Sequence, residues 1–260
     1  MAHTHPRFAG FRAALVSLGF LVGQGSHASA AAGILNVPVD FPTIQAAIDA
    51  AQIGDEIVLA PGIYENPSIE IGGSRPLTIT IRSTDPADPE VVAQTVLVDP
   101  EDERILDIIA IEPVGVTLDG LTVRRAAVRT DDSTIRVVGA DIAIKRCVFD
   151  GGTEATGRIG TILETFEIAT TKQIAPMTVR LEDLTVLGRV GDFDIFATEV
   201  IVDGFDSAVP NASGRLAIDG SGEDQLIEIR NSWFTIPVIL TDESPDGSLI
   251  TDTTFADVDV

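Results

Sequence analysis

VTLDGLTV (116–123), IAIKRCVF (142–149) and VRLEDLTV (179–186) superimpose position by position. Three further stretches extend the alignment: VIVDGFDS (200–207), IEIRNSWF (227–234) and SLITDTTF (248–255). Their starts lie 26, 37, 21, 27 and 21 residues apart. Each reads as two alternating strand stubs around a bend of about two residues. The third column is aliphatic throughout: Leu118, Ile144, Leu181, Val202, Ile229 and Ile250. The eighth is mostly large and apolar, with Val123, Phe149, Val186, Phe234 and Phe255 around Ser207. At the bend, Gly120, Asp183, Gly204, Asn231 and Asp252 are residue types that tolerate a left-handed backbone, and Arg146 interrupts the column. Like columns at this period predict a parallel β-helix, in which each coil pairs with the next about 4.8 Å away.

Working outward, EIVLA (56–60), IEI (69–71), LTITIR (77–82), VVAQTVLV (91–98) and ILDIIAI (105–111) read as short strands between Pro, Gly and Asp clusters. The 37-residue interval holds an insertion around 153–176, read as a projecting loop or one irregular coil. Ile44, Ala47, Ile48 and Ala51 fall on one face of a helix over 43–52, with Thr43 as N-cap and Gly54 as the stop. Such a helix suits the first coil of a solenoid, whose apolar interior and strand edges need cover. No second cap is evident before Val260. The expectation is self-association through the last coil, another partner there, or a shortened form of a longer family.

The opening segment DFPTIQAAIDAAQIGDEIVLAPGIYEN resembles the N-terminal signature of the pectin lyase-like superfamily, which includes pectin methylesterases. The close match covers about thirty residues; the coils behind it are similar in pattern only. The resemblance implies an all-β, single-stranded right-handed parallel β-helix with a short N-terminal capping helix. It does not settle function, because this fold carries lyases, esterases, hydrolases and proteins without catalysis.

Arg7 and Arg12, the apolar run AALVSLGFLVG (13–23) and the small residues ASA (28–30) predict a secretory signal peptide over 1–32, cleaved after Ala30 or Ala32. The β-helix domain then occupies 33–260, and the expected location is extracellular or periplasmic. No later stretch reaches the roughly 20 apolar residues of a membrane helix. All three histidines lie in the leader, so Ser-His-Asp and Cys-His machinery is excluded from the rest. The formal charge of −23 becomes more negative still without the leader's two arginines, which argues against a nucleic-acid partner. Cys147 is the single cysteine, so an internal disulfide and a cysteine zinc site are both excluded. It aligns with Leu121, Leu184 and Phe205 in an inward column.

Catalysis in such a chain falls to carboxylates, Arg, Lys or Tyr. Lyases of the resembling fold use a basic residue and acids that hold calcium, which singles out Lys145 and Arg146 with Glu182, Asp183 and Asp203 on neighbouring coils. The same residues alternate in sign along one corner, and a charged ladder that relieves repulsion between coils explains them better. GDFDIF (191–196) resembles the esterase motif and makes Asp194 a nucleophile candidate. The glutamines and the downstream arginine beside a tryptophan are missing from the pattern, and strand alternation accounts for Phe193 and Ile195. Tyr64 and Trp233 are candidates for stacking on a sugar ring. The acidic runs DPEDE (99–103), Asp131–Asp132, GEDQ (222–225) and TDESPD (241–246) match no spaced calcium loop, and NAS (211–213) has sequon form. The expected function is a non-catalytic surface or extracellular module contacting polysaccharide or envelope material. The alternative is a polysaccharide lyase or esterase. No cofactor is required, and calcium is the one candidate.

Overall fold

The computed structural model describes residues 32–65, 67–73, 75–99, 104–125, 133–151, 161–166, 176–188, 191–207, 214–220, 226–241 and 249–255. The leader up to Ala31, the NAS sequon, Asp131–Asp132, GEDQ and most of the other two acidic runs lie outside them.

The strands return to the same three sheets in a fixed cycle. Val114–Asp119 lies in a first sheet, Thr122–Arg125 in a second and Ile135–Val138 in a third. Asp141–Lys145 then comes back to the first, directly beside Val114–Asp119. Among the described residues the first sheet has nine strands, from Ile34–Val37 to Leu249–Thr251, and is called the long sheet here. The third has seven, from Ile69–Gly73 to Val238–Thr241. The second has five and continues through single bridges at Asp206 to the Trp233–Phe234 and Thr254–Phe255 pair. All pairings are parallel. The result is an all-β architecture of stacked parallel sheets, compatible with a β-helix.

Register places the predicted columns over one another. Leu118 partners Ile144, then Leu181, Val202, Ile229 and Ile250 follow coil by coil. The first five are at most 1% exposed, whereas Ile250, on the outermost described strand, is 44% exposed. Cys147, Leu121, Leu184 and Phe205 form the expected buried column. Inside the coils Phe149, Phe193, Phe205, Phe234 and Phe255 touch in sequence, with ring centroids 5.1 to 5.5 Å apart. The first two contacts are edge-to-face and the last two stacked, the geometries that the ring quadrupole favours.

From Val114–Asp119 onward, the bends from the long sheet toward the second sheet take positive φ: Gly120 65°, Arg146 48°, Asp183 53°, Gly204 74°, Asn231 50° and Asp252 48°. Arg146 therefore does not break the column, contrary to the sequence expectation. A left-handed backbone costs an ordinary side chain about 1–2 kcal/mol. The Arg146 guanidinium offsets that by pairing with Asp119 on the preceding coil. At Gly120 a side chain is excluded as well, since a Cβ would come within 2.4 Å of Pro86 Cα.

Two further expectations need correction. VVAQTVLV (91–98) is not one strand: Pro89–Gln94 is a helical turn and Thr95–Asp99 the strand. Asp88 caps that turn by accepting the Glu90 N–H at 2.9 Å, and Pro89 sits where its missing N–H costs nothing. The first helix spans Ile44–Ala50, capped as predicted by Thr43 Oγ1 accepting the Ala46 N–H at 3.1 Å. It ends before Gly54, because Ala51 is already extended and Arg75 donates to the carbonyls of Ile48 and Ala51 at 3.1 and 2.8 Å. Its buried residues Ile44, Ala47 and Ile48 pack beside the first strands of the long and third sheets. Within the 153–176 insertion, Thr161–Phe166 is a strand of the third sheet with a register shift between Thr161 and Leu163. The described part of the insertion before Pro176 is thus strand, and the rest of it lies outside the described residues.

Candidate functional site: a groove on the long sheet

Strand alternation in the long sheet sends Val116, Leu118, Ile142 and Ile144 inward and leaves Gly115, Thr117, Asp141 and Ala143 facing out. Those outward side chains are short, and the surface is hollow there. Thr78 and Thr178 flank them in register on the neighbouring strands. Ile111, 76% exposed, stands at the rim with Pro113 and Pro176. Together they enclose an open groove of about 790 Å³.

One end of the groove is polar. Asp141 Oδ1 accepts the Thr178 N–H at 2.8 Å, and Thr178 Oγ1 donates to Glu199 Oε2 at 3.1 Å. Arg180 reaches the same Glu199 oxygen at 3.5 Å, leaving its guanidinium well exposed. Hydroxyls, a carboxylate, a guanidinium and an apolar rim offer hydrogen bonds and a dry contact to a polyhydroxylated ring. The small floor gives room for it.

The residues singled out from the sequence lie elsewhere. Arg82, Asp119, Lys145, Glu182, Asp203 and Arg230 form one row along the corner of the long sheet. Lys145 pairs with Glu182 at 2.9 Å, Arg230 with Asp203 at 2.7 Å and Arg146 with Asp119. Asn231 and Arg230, both hydrogen-bonded to Asp203, hold its carboxyl below the usual range. Burial pushes the Asp119 carboxyl up, against the pull of Arg146, Lys145 and Arg82, and its Oδ1 has no partner. Asp183 occupies its left-handed bend beside Gly204. Glu182, Asp183 and Asp203 do not converge on a point: among the described residues no three acidic, Cys or His groups are placed to hold a metal. The spread of these three carboxylates does not fit a shared calcium ion.

Asp194 faces outward from the third sheet, between buried Phe193 and Ile195. Arg215 donates to Asp194 at 3.2 Å and lies 3.2 Å from Asp192, two residues earlier on the same face. Burial pushes the Asp192 carboxyl up, with Arg215 opposing and Asp194 reinforcing the shift. This Asp192–Asp194–Arg215 clasp went unread in the sequence because Arg215 reaches its partners only through strand pairing. The only signal was the D-x-D alternation at 192–194. The groove was also unread, though small residues at alternate positions in GVT (115–117) and DIA (141–143) foreshadow it.

The Tyr64 hydroxyl lies 2.8 Å from the Ala60 carbonyl and 3.2 Å from that of Val37, and burial pushes the phenol up. Those two hydrogen bonds tie the N-terminal segments together. Trp233 is 49% exposed, with its neighbour Phe234 fully buried, as alternation predicts. It belongs to the continuation of the second sheet and does not line the groove. No helix among the described residues is long and apolar enough to cross a membrane.

No protein-family model matches the chain, and neither does any curated protein or any solved structure.

Proposed function

We propose that the chain is an exported right-handed parallel β-helix of the pectin lyase-like kind, closed at its start by the helix Ile44–Ala50, and that it binds polysaccharide or envelope material without catalysing its breakdown. The observation that carries this reading is the groove of about 790 Å³ on the outer face of the long sheet. Its length runs across several coils, so successive sugar units meet successive strands about 4.8 Å apart. Threonine hydroxyls, Asp141 and Arg180 supply polar contacts, and exposed Ile111 supplies an apolar one.

The pairing of the basic candidates favours binding over catalysis. A lyase base must be free to take a proton, whereas Lys145 is held by Glu182 and Arg146 by Asp119. Those pairs read as the charged ladder of a stacked solenoid. The reading needs no calcium.

The test is retention of the purified chain on a panel of immobilised neutral and acidic polysaccharides, with calcium and with chelator, alongside assays for released product. Retention on at least one glycan, absence of product, and loss of retention in Ala143→Trp, whose indole fills the groove floor, are expected. Release of unsaturated or demethylated product by the wild type would overturn the non-catalytic reading. Unchanged retention by a folded Ala143→Trp variant would overturn the groove.

A further inference from the structure

The outer face of the third sheet carries a feature that the glycan-binding reading leaves unexplained. Ile109 partners Val138, and Val138 partners Phe166. Phe166 stands two residues beyond Glu164, whose partner is Asp194, and Phe196 stands two residues beyond Asp194. All four side chains alternate with buried neighbours and so face outward. Ile109 and Phe166 are 44% and 43% exposed, and Val138 and Phe196 are half-buried. They form an apolar stripe across four successive coils, on a strand face where charged or polar residues would be the expected solvent-facing choice.

Carboxylates border that stripe. Glu70, Asp107, Arg136, Glu164 and Asp194 form the adjacent row in register. Within it Asp107 is taken by Arg136 and Arg104, and Asp194 by Arg215. Among the described residues Glu70 and Glu164 form no ion pair, and neither does Asp219, which partners Phe196 on the next strand, although Glu164 also feels the charge of Arg136. The edge of the stripe is thus net acidic, on a chain whose formal charge is −23. A second copy would bring like charges together across this face, and an acidic polysaccharide would do the same.

We infer that the Ile109–Val138–Phe166–Phe196 stripe is a docking surface for a cationic amphipathic helix of a partner protein. The geometry matches. Coils are spaced about 4.8 Å apart, close to the roughly 5.4 Å between successive turns of a helix laid along the stripe. Apolar residues at i, i+3 or i+4, and i+7 then meet successive stripe side chains. The acidic row lies two residues along each strand, about 6.6 Å to the side, where lysines or arginines flanking the helix's apolar face would reach Glu164 and Glu70. Electrostatic complementarity fixes the partner's orientation and speeds its encounter, and the stripe supplies the desolvated centre. This surface faces out from the third sheet and meets the groove only at the corner formed by Ala110, Ile111 and Gly139, so it stands or falls separately from it.

The probe is a labelled synthetic helix of about 18 residues, five turns, with leucines along one face and lysines flanking them. Anisotropy titration of the whole chain at about 50 mM and about 500 mM salt reads the binding. One-to-one binding is expected, weakened at least about tenfold by the higher salt and at least about tenfold by Phe166→Ser, with Glu164→Lys losing affinity while keeping its fold by circular dichroism. A peptide of the same composition with scrambled order should bind at least about tenfold more weakly. Equal binding of the scrambled peptide, or of the designed peptide to Phe166→Ser, would reduce the effect to bulk charge and overturn the inference. Self-association or glycan retention abolished by Phe166→Ser, with no peptide binding, would assign the stripe to a different occupant and overturn it equally.

Discussion

Arg146→Gly sets two physical terms of opposite sign against each other, and the pH decides between them. Arg146 holds φ at 48°, a conformation that costs a side chain about 1–2 kcal/mol and glycine nothing. Glycine also gains more entropy when the chain unfolds, about 0.5–1 kcal/mol, so the backbone gain is about 0.5–1 kcal/mol. Against it stands the pair with Asp119. A hydrogen bond to a charged group contributes about 1.5–3 kcal/mol. The Arg146 side chain is 43% exposed and that of Asp119 12%, so solvent screening trims the loss to about 1–2 kcal/mol. At neutral pH the variant should be less stable by about 1 kcal/mol.

The linkage sign follows from burial, which raises the folded-state pKa of Asp119. The folded state then holds the proton more tightly than the unfolded chain, and stability is lost as pH rises through the ordinary carboxylate value of about 3.9 and beyond. Removing Arg146 takes away an interaction that opposes the shift, so the loss steepens in the variant. Below about pH 3 the carboxyl is protonated in both states, the pair no longer counts, and Arg146→Gly should be the more stable protein. In an Asp119→Asn background the same substitution should stabilise at every pH. Urea unfolding of all four proteins at pH 3 and pH 7 reads these differences. An equal loss at both pH values, in both backgrounds, would refute the assignment of the Arg146–Asp119 pair as the compensation for a strained bend.

Phe205→Ala should cost about 3–5 kcal/mol in chemical denaturation, because it removes a fully buried ring and its contacts with Phe193 and Phe234; a loss under about 1 kcal/mol would show that these rings do not stack in one core. Burial pushes the Cys147 thiol up to about 12, so the native protein should resist thiol alkylation at pH 8 or so and react at once in denaturant. Labelling of the folded chain would contradict its place in the inward column. Gly72→Ala should lower the melting temperature, since a Cβ would lie 1.9 Å from the Ile109 carbonyl oxygen at a φ of 138°; unchanged melting would argue against the pairing of Ile69–Gly73 with Leu106–Ala110. In a double-mutant cycle, Lys145 and Glu182 should couple by less than about 1 kcal/mol and lose that coupling in salt, as an exposed ladder pair does.

The sequence by itself determined the stacking. Coil after coil repeats the same inward and outward alternation, and a position that lies above its counterpart must share its environment, so Leu118, Ile144, Leu181, Val202 and Ile229 announce one buried column before any coordinates exist. The bends were legible for the same reason, except at Arg146, where the residue type hid a conformation secured by a partner 27 positions away. Only the tertiary structure decided the third sheet. Its strands are joined by connections of unequal length, including the interrupted 153–176 stretch, so no fixed spacing betrays them. The groove, the Asp192–Asp194–Arg215 clasp and the Ile109–Phe196 stripe all depend on which outward side chains come side by side from different coils. Local sequence fixes which face a residue takes; only strand register, set across tens of residues, fixes its neighbours on that face.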